Sequence, residues 1–244
     1  MIVPGDHNDI PPSRRAPFIV EPFTDACRAI WEQRQHALFG VSPGNSYFQV
    51  ALLTDLLGWL CEEFARGDVV VPDSALEHTY RALGYSPQRA ATKARGETNV
   101  LRNRVRRAWE NCGGPREGDG LHRMSELASH GTYRRTLAEC EEALAADENL
   151  RETCALASRK VLTARGFDGP LTEDQINRAM RYLIGELPFF LASAEMFNVT
   201  SSLNFYHQRL LLADLIFSGK AALSPSSRQA YAVIRRASHF PGKE

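Results

Sequence analysis

Gly40-Val41-Ser42-Pro43-Gly44 is a G-x-S-x-G sequence between a short apolar run and a helical repeat, a pattern that exposes a serine hydroxyl at a strand-to-helix turn. A hydroxyl at the C-terminal end of a parallel strand faces the crevice where such sheets bind ligands, so Ser42 is a candidate nucleophile for acyl transfer. Ordinary esterase chemistry fits poorly. In that fold the residue after the serine donates its backbone N–H to the oxyanion, and Pro43 has none. The elbow also falls on the first strand that can be read, leaving little chain for the strands expected before it. The bland alternative is a tight turn whose serine caps a helix.

Tyr182 and Glu186 stand four apart and share one helical face. A phenol beside a carboxylate suits recognition of an ammonium group or proton transfer; a surface Glu beside a half-buried Tyr is the structural alternative. The segment Ser201-Ser202-Leu203-Asn204-Phe205-Tyr206-His207 brings a histidine, the natural proton carrier near neutral pH, to the end of a short strand. A single histidine is more often structural than catalytic. From Arg89 to Arg107 the cations Arg89, Lys93, Arg95, Arg102, Arg104, Arg106 and Arg107 face one carboxylate, Glu97. Charge runs are usually solvated faces, but this surplus in a neutral chain is the footprint of phosphate-backbone binding. No aromatic residues interleave with the cations, so base stacking and sequence readout are not expected.

The elements that must position these groups follow from periodicity. A helix is expected from Thr24 to Gln35, a strand from His36 to Val41, and a helix from Ser46 to Ala65, where Phe48, Leu52, Leu53, Leu56, Leu57, Leu60 and Phe64 recur at three and four. Gly67 fits the C-cap of that helix, and Asp68 to Val71 reads as a strand buried on both faces. Strand, helix and strand in so short a span make a βαβ unit and hence a parallel sheet. Helices follow over Ser74–Leu83, Ser86–Asn111 (opened by Pro87, with Leu101, Val105, Ala108 and Trp109 inward), Met124–Ser129, Thr132–Ala146, Asn149–Ala164 and Thr172–Leu187. The region from Asn111 to Gly120 reads as a loop. A strand over Leu203–Tyr206, a helix over Gln208–Phe217 and a strand over Ala230–Arg235 complete an α/β fold, a Rossmann-like parallel sheet flanked by many helices.

The 244 residues, 43% hydrophobic and 24% charged, fit one soluble domain over 18–244 behind a flexible, proline-containing lead-in over 1–17. Equal numbers of basic and acidic residues, 29 of each, leave net charge silent about partners. The longest apolar stretch, Val50 to Cys61, is too short for a membrane span and is broken by Asp55, and no signal-peptide pattern opens the chain. Five cysteines without a C-x-x-C argue for a reducing, cytoplasmic setting and against a disulfide framework or a zinc site.

The motifs taken together, Gly40 through Phe48, the Arg-rich helix, Tyr182-x-x-x-Glu186-x-Pro188 and Ser201-Ser202 leading to Tyr206-His207, resemble the tRNA-dependent cyclodipeptide synthases. The likeness runs over roughly residues 30 to 236 and includes the spacing between motifs. Asn45, Tyr206 and His207 match the subfamily named for Asn-Tyr-His. The resemblance implies a fold like the catalytic domain of class I aminoacyl-tRNA synthetases, without their ATP-activation motifs, and no metal or cofactor. It implies that Ser42 takes the aminoacyl group from a first charged tRNA, that Tyr182 and Glu186 hold its α-amino group, that Asn45 and His207 orient the site, and that Tyr206 positions groups and relays protons. The product would be a 2,5-diketopiperazine formed by ping-pong transfer through aminoacyl- and dipeptidyl-serine. The basic helix would hold the tRNA acceptor stem, with no DNA partner, no membrane and a monomeric enzyme. A first-residue pocket is implied at Leu38, Gly40, Val70, Phe189 and Asn204, mostly apolar, with the Asn204 amide available to a ring N–H or hydroxyl of the substrate. No histidine is an obvious base for Ser42; the nucleotide's vicinal hydroxyl or a phosphate is the expected helper. A serine hydrolase with a degenerate elbow and a noncatalytic RNA-binding module are the alternatives.

Overall fold

Side-chain alternation in the central strands decides which helices cover which face of the sheet. In the computed structural model, which describes residues 18–237, six strands pair in the order β1-β6-β5-β2-β3-β4. They are β1 (Phe18–Pro22), β2 (His36–Gly40), β3 (Arg66–Val71), β4 (Gly120–Arg123), β5 (Ser202–Tyr206) and β6 (Gln229–Arg236). Strands β2 to β6 are mutually parallel, and β1 runs antiparallel along β6. Ala37 and Phe39 of β2, Val69 and Val71 of β3, and Leu203 and Phe205 of β5 enter the larger core. There they meet Trp31 of helix α1 (Asp25–Gln33), Leu56, Trp59 and Leu60 of α2 (Val50–Glu63), and Leu101 and Val105 of α4 (Pro87–Asn111). Leu38 and Val70 point the other way, to Phe189 and Met196 of α8 (Glu173–Met196) and Tyr133 of α6 (Gly131–Ala146). The remaining helices are α3 (Leu76–Ala82), α5 (Met124–Leu127), α7 (Glu148–Ala164) and α9 (Leu211–Phe217).

Several expectations are corrected. The sheet is not wholly parallel, because Phe18–Pro22 adds an antiparallel edge, and the segment read as a loop up to Gly120 leads straight into the half-buried edge strand β4. Gly67 is not a helix cap: it lies in β3 and donates its N–H to Asp119 Oδ1 at 2.7 Å. The end of α2 is closed by Arg116, whose guanidinium donates to the carbonyls of Cys61 and Phe64 at 2.6 Å each. Helix α8 continues past Pro188 to Met196, with a non-helical kink at Ala192. The lead-in expected over 1–17, and the end of the 18–244 domain, lie outside the described residues.

At the N-terminal end of the sheet a buried polar chain links four strands. His36 Nε2 lies 3.0 Å from Asp68 Oδ2, His36 Nδ1 lies 2.8 Å from Ser202 Oγ, and His122 Nε2 lies 2.7 Å from Asp68 Oδ1. Arg66 Nε reaches Asp68 at 2.7 Å. Gly120 makes the room, since a Cβ there would stand 2.6 Å from Asp68 Oδ1. Ser202, His36 and Asp68 have the residue types of a hydrolytic triad, but Ser202 and Asp68 are fully buried and no substrate reaches them. Burial lowers the pKa of His36, so the neutral ring donates from Nε2 and accepts from Ser202 at Nδ1. Burial alone would raise the Asp68 carboxyl, but the hydrogen bonds from His122 and His36 outweigh it and hold the group at about 2.

Both shifts have the same sign in stability. The unfolded chain takes up protons on His36 below its ordinary value of 6.5, and on Asp68 below 3.8, where the folded protein resists them. Denaturant midpoints should therefore fall as pH drops from 7 toward 5, and further below 4. Asp68→Ala, which leaves two imidazoles and a guanidinium facing an empty space, should cost about 3–5 kcal/mol in the same assay.

Candidate active site

Ser42-Pro43-Gly44-Asn45 is a turn in which proline fixes φ at the second position and glycine supplies the positive φ of the third, here +77°. The Asn45 N–H donates to the Ser42 carbonyl at 3.2 Å and closes it. The turn follows β2 directly, and residues 45–49 complete the connection, so α2 begins at Val50 rather than at Ser46. Beneath it lies a cluster that sequence reasoning did not find. Arg165, at the end of α7, donates from Nη2 to the Pro43 carbonyl at 2.8 Å and from Nη1 to Tyr80 Oη at 2.9 Å and Glu97 Oε2 at 3.2 Å. Tyr80 of α3 also hydrogen-bonds Glu97 of α4. A Cβ on Gly44 would come within 2.7 Å of Glu97 Oε2, so glycine is required there by contact as well as by φ. Glu97, the lone acid among the helix cations, offered the one legible hint.

Ser42 Oγ lies 2.9 Å from the phenolic oxygen of Tyr206. Asn45 Nδ2 donates to His207 Nε2 at 3.3 Å, while Asn45 Oδ1 accepts the Tyr47 N–H at 2.9 Å. His207 stacks on Tyr47 with ring centres 4.2 Å apart and meets Phe48 edge-on at 5.4 Å. Burial lowers the His207 pKa, consistent with a neutral ring that accepts from Asn45. His207 is thus engaged by Asn45 and does not touch Ser42. With Pro43 lacking an N–H and a phenol rather than an imidazole at the serine, both working parts of a serine hydrolase are missing.

Tyr182 and Glu186 share one face of α8 and interact through phenol and carboxyl. Burial raises the Glu186 carboxyl to about 7, against the opposing hydrogen bond from Tyr182. Tyr182 is pushed well up by burial and by the Glu186 charge, and Tyr206 to about 12 by burial, the bond from Ser42 notwithstanding. Glu186 faces Tyr206 as well as Tyr182, so the serine turn on β2, the phenol on β5 and the carboxyl on α8 meet at the C-terminal edge of the sheet. Both phenols are neutral at physiological pH, and Glu186 titrates in the range of a general base. Gly185 lets α8 approach, with the Tyr133 hydroxyl bonded to its carbonyl at 2.9 Å.

The pocket positions Leu38, Val70 and Phe189 pack into one cluster with Tyr182 at its margin, and Gly40 pairs with Val70 at its rim. The expectation for Asn204 is corrected. Its Nδ2 donates to the Phe189 carbonyl at 2.6 Å and its Oδ1 accepts from Gln229 at 3.2 Å, so no free amide faces a ligand. Together with the Ser193 hydroxyl it serves the Phe189 carbonyl beside the α8 kink. On α4, Arg89, Lys93, Arg95, Arg106 and Arg107 are exposed. Arg102 is half-buried beside Arg106 and Arg123, and Arg104 donates to the Phe48 carbonyl at 3.3 Å. None of these seven cations forms an ion pair among the described residues. No helix there is long and apolar enough to cross a membrane.

Known proteins resemble this chain in sequence and fold. A Mycobacterium tuberculosis protein named cyclo(L-tyrosyl-L-tyrosyl) synthase is 34% identical over 89% of this chain and 75% of its own. A Streptomyces noursei cyclo(L-leucyl-L-phenylalanyl) synthase is 30% identical over 86% of this chain and 89% of its own. A solved M. tuberculosis structure, described as demonstrating that cyclodipeptide synthetases are related to type I tRNA synthetases, superposes with a TM-score of 0.80 at 33% identity, covering 92% of this chain and 96% of that one. The family profile described as cyclodipeptide synthase matches residues 18–236, and with the serine turn, the paired phenols and the buried carboxyl in place, the chain belongs to the cyclodipeptide synthase family.

Proposed function

We propose that this enzyme, of the Asn-Tyr-His subfamily, joins two aminoacyl-tRNAs into a cyclic dipeptide by ping-pong acyl transfer through Ser42. The observation that carries the reading is the meeting of Ser42 with Tyr206 beside the Tyr182–Glu186 pair, a nucleophile next to a receptor for an ammonium group. An aminoacyl ester is already activated, so transfer to a serine exchanges one ester for another and requires no ATP. Ser42 Oγ bonds to the carbonyl carbon, the carbon–oxygen bond to the ribose breaks, and the serine proton passes to the departing oxygen. The neutral Tyr206 phenol hydrogen-bonds that proton's path but is too weak a base to hold the proton, so the vicinal ribose hydroxyl or a phosphate completes the relay.

Glu186 receives the α-ammonium of the bound aminoacyl group, whose ordinary pKa of about 8 lies close enough to the carboxyl's for proton exchange. The freed amine attacks the ester of a second aminoacyl-tRNA, leaving a dipeptide on Ser42. The new terminal amine then attacks the serine ester and closes the six-membered ring, an intramolecular step favoured by high effective concentration. Tyr182 and Asn45 orient, His207 buttresses Asn45, and the α4 cations Arg89, Lys93, Arg95, Arg102, Arg104, Arg106 and Arg107 hold the acceptor stem. The enzyme acts as a monomer in the cytoplasm, where charged tRNA is found. The apolar wall of Leu38, Val70 and Phe189, with no free amide, suits a large aliphatic or aromatic first residue. Such a wall separates neighbours by only about 1–3 kcal/mol per methylene, so a family of related products is expected. The tyrosyl, leucyl and phenylalanyl products named for the relatives agree with this class.

Expression in a bacterial host, with mass spectrometry of the medium, tests the reading: cyclic dipeptides should appear with the wild type. With Ser42→Ala both the product and labelling of the protein by charged tRNA should vanish while the fold persists. Retained activity in Ser42→Ala would overturn the mechanism. For the wild type, kcat/KM should fall tenfold per pH unit below about 7 as Glu186 takes up its proton. That limb should be absent from the residual rate of Glu186→Gln.

Arg165→Leu frees the Pro43 carbonyl and leaves Glu97 without its cation. Because a displacement of about 1 Å can cost about 10²-fold, kcat should drop by that order while tRNA affinity stays close to wild type. An equal rise in KM would mean that Arg165 contacts substrate instead.

A further inference from the structure

Helices α3 and α8 pack side by side, and a recess of about 380 Å³ opens along their seam, lined by His78, Arg81, Asp174, Asn177, Arg178 and Arg181. The three guanidiniums are exposed, and none has a carboxylate within ion-pair distance among the described residues. Asp174 is the one acid in the lining, and it sits in the first turn of α8, where the helix dipole already favours it. Three guanidiniums around one cavity repel one another. Burial, followed by the charges of Arg181, Arg81 and Arg178, keeps the His78 ring neutral. A neutral imidazole and the Asn177 amide then supply uncharged donors between the cations. Such a set of forked, permanently charged donors in a concave site is matched to the oxygens of a phosphate.

The recess continues the positive surface of α4. Lys93 lies 5.2 Å from the ring centre of Tyr80 and 5.6 Å from that of Tyr85, and Arg89 lies 4.9 Å from that of Tyr85. Tyr80 is buried and Tyr85 half-buried in the seam between α4 and α3, and exposed cations stand on all three helices: Arg89 and Lys93 on α4, Arg81 on α3, Arg178 and Arg181 on α8. On α8 the band stops at Arg181, next to Tyr182, whose phenol serves the active-site carboxyl.

We propose that the α3–α8 recess binds a phosphodiester of the tRNA strand whose terminal ester reaches Ser42, a contact separate from the α4 helix. The proposal rests on the tRNA-dependent reading above. The recess holds the strand about one helical turn from Tyr182, since Arg178 and Tyr182 stand four apart on α8, whereas α4 holds the stem at the other side of α3. Inorganic phosphate offers the same chemistry, and the test separates the two sources.

Filter binding of uncharged tRNA between 50 and 200 mM KCl compares the wild type with the combined variant Arg81→Gln, Arg178→Gln, Arg181→Gln. At roughly 0.7–0.9 in log–log slope per contact, loss of two to three contacts should flatten the salt dependence by about two and weaken binding at 50 mM at least tenfold. The free variant should melt at or above the wild-type temperature, because the change relieves repulsion. Asp174→Asn, which makes the recess more positive, should tighten tRNA binding instead. Unchanged affinity and slope in the triple variant overturn the proposal. So does a wild type stabilised thermally by millimolar phosphate, through these arginines, whose tRNA binding survives their loss. The proposed reaction stands apart: a wild type that binds tRNA through the recess yet releases no cyclic dipeptide defeats the reaction alone, and one that binds no tRNA defeats both.

Discussion

The Arg165 guanidinium on the Pro43 carbonyl, at 2.8 Å, is the contact on which the site's geometry depends. One planar cation gathers the C-terminal end of α7, Tyr80 of α3, Glu97 of α4 and the turn that carries Ser42. Its charge is balanced by Glu97, so the turn is held by a compensated pair at the edge of solvent and not by an isolated buried ion. The turn's other supports are local: proline and glycine set its dihedral angles, and Asn45 closes it. A serine with a phenol as its hydrogen-bond partner has no strong base beside it, so in the proposed reaction its reactivity rests on placement, with rigidity beneath it in place of basicity beside it.

The two ends of the same sheet use burial in opposite ways. At the N-terminal end Asp68 is surrounded by donors and stays ionised, so the charge belongs to the folded scaffold. At the C-terminal end Glu186 has phenols for neighbours and no facing cation in hydrogen-bond contact, and its carboxyl rises to about 7. A carboxyl so placed can exchange protons with an amine, whereas Asp68 cannot. The difference lies in what each strand or helix brings alongside: two imidazoles and a guanidinium at Asp68, phenols at Glu186.

Much of this was legible in the sequence. The family resemblance grouped Leu38, Gly40 and Val70, and Leu38 and Val70 do pack into one cluster, while Ser-Pro-Gly-Asn carried its own turn chemistry. Four-residue spacing placed Tyr182 with Glu186. What failed had physical causes. The helix expected over Thr172–Leu187 runs on through Pro188 as a kinked helix whose Phe189 carbonyl is bonded by Asn204 and Ser193. Glycine after a helix suggested a cap at Gly67, where a distant arginine performs that role. Edge strands β1 and β4 are short and bounded by prolines or glycines, so their pairing depends on partners far along the chain. Arg165 was invisible for the same reason: its partners come from α3, α4 and the turn, and no local pattern announces them.

The Asn204–Phe189 bond has a consequence for anyone reshaping the pocket. Asn204 precedes Tyr206 by two residues on β5, Leu38 and Gly40 precede Ser42 on β2, and Phe189 follows Glu186 by three on α8. If the proposed pocket holds, altering selectivity at Leu38, Gly40 or Phe189, or breaking the Asn204 bond that holds Phe189, perturbs the backbone that aims a group of the proposed reaction, and product choice becomes entangled with turnover. Val70 differs, because β3 packs against Leu38 and Phe189 at the proposed pocket without delivering any of the groups that meet at Ser42. It is the wall where the two properties come apart.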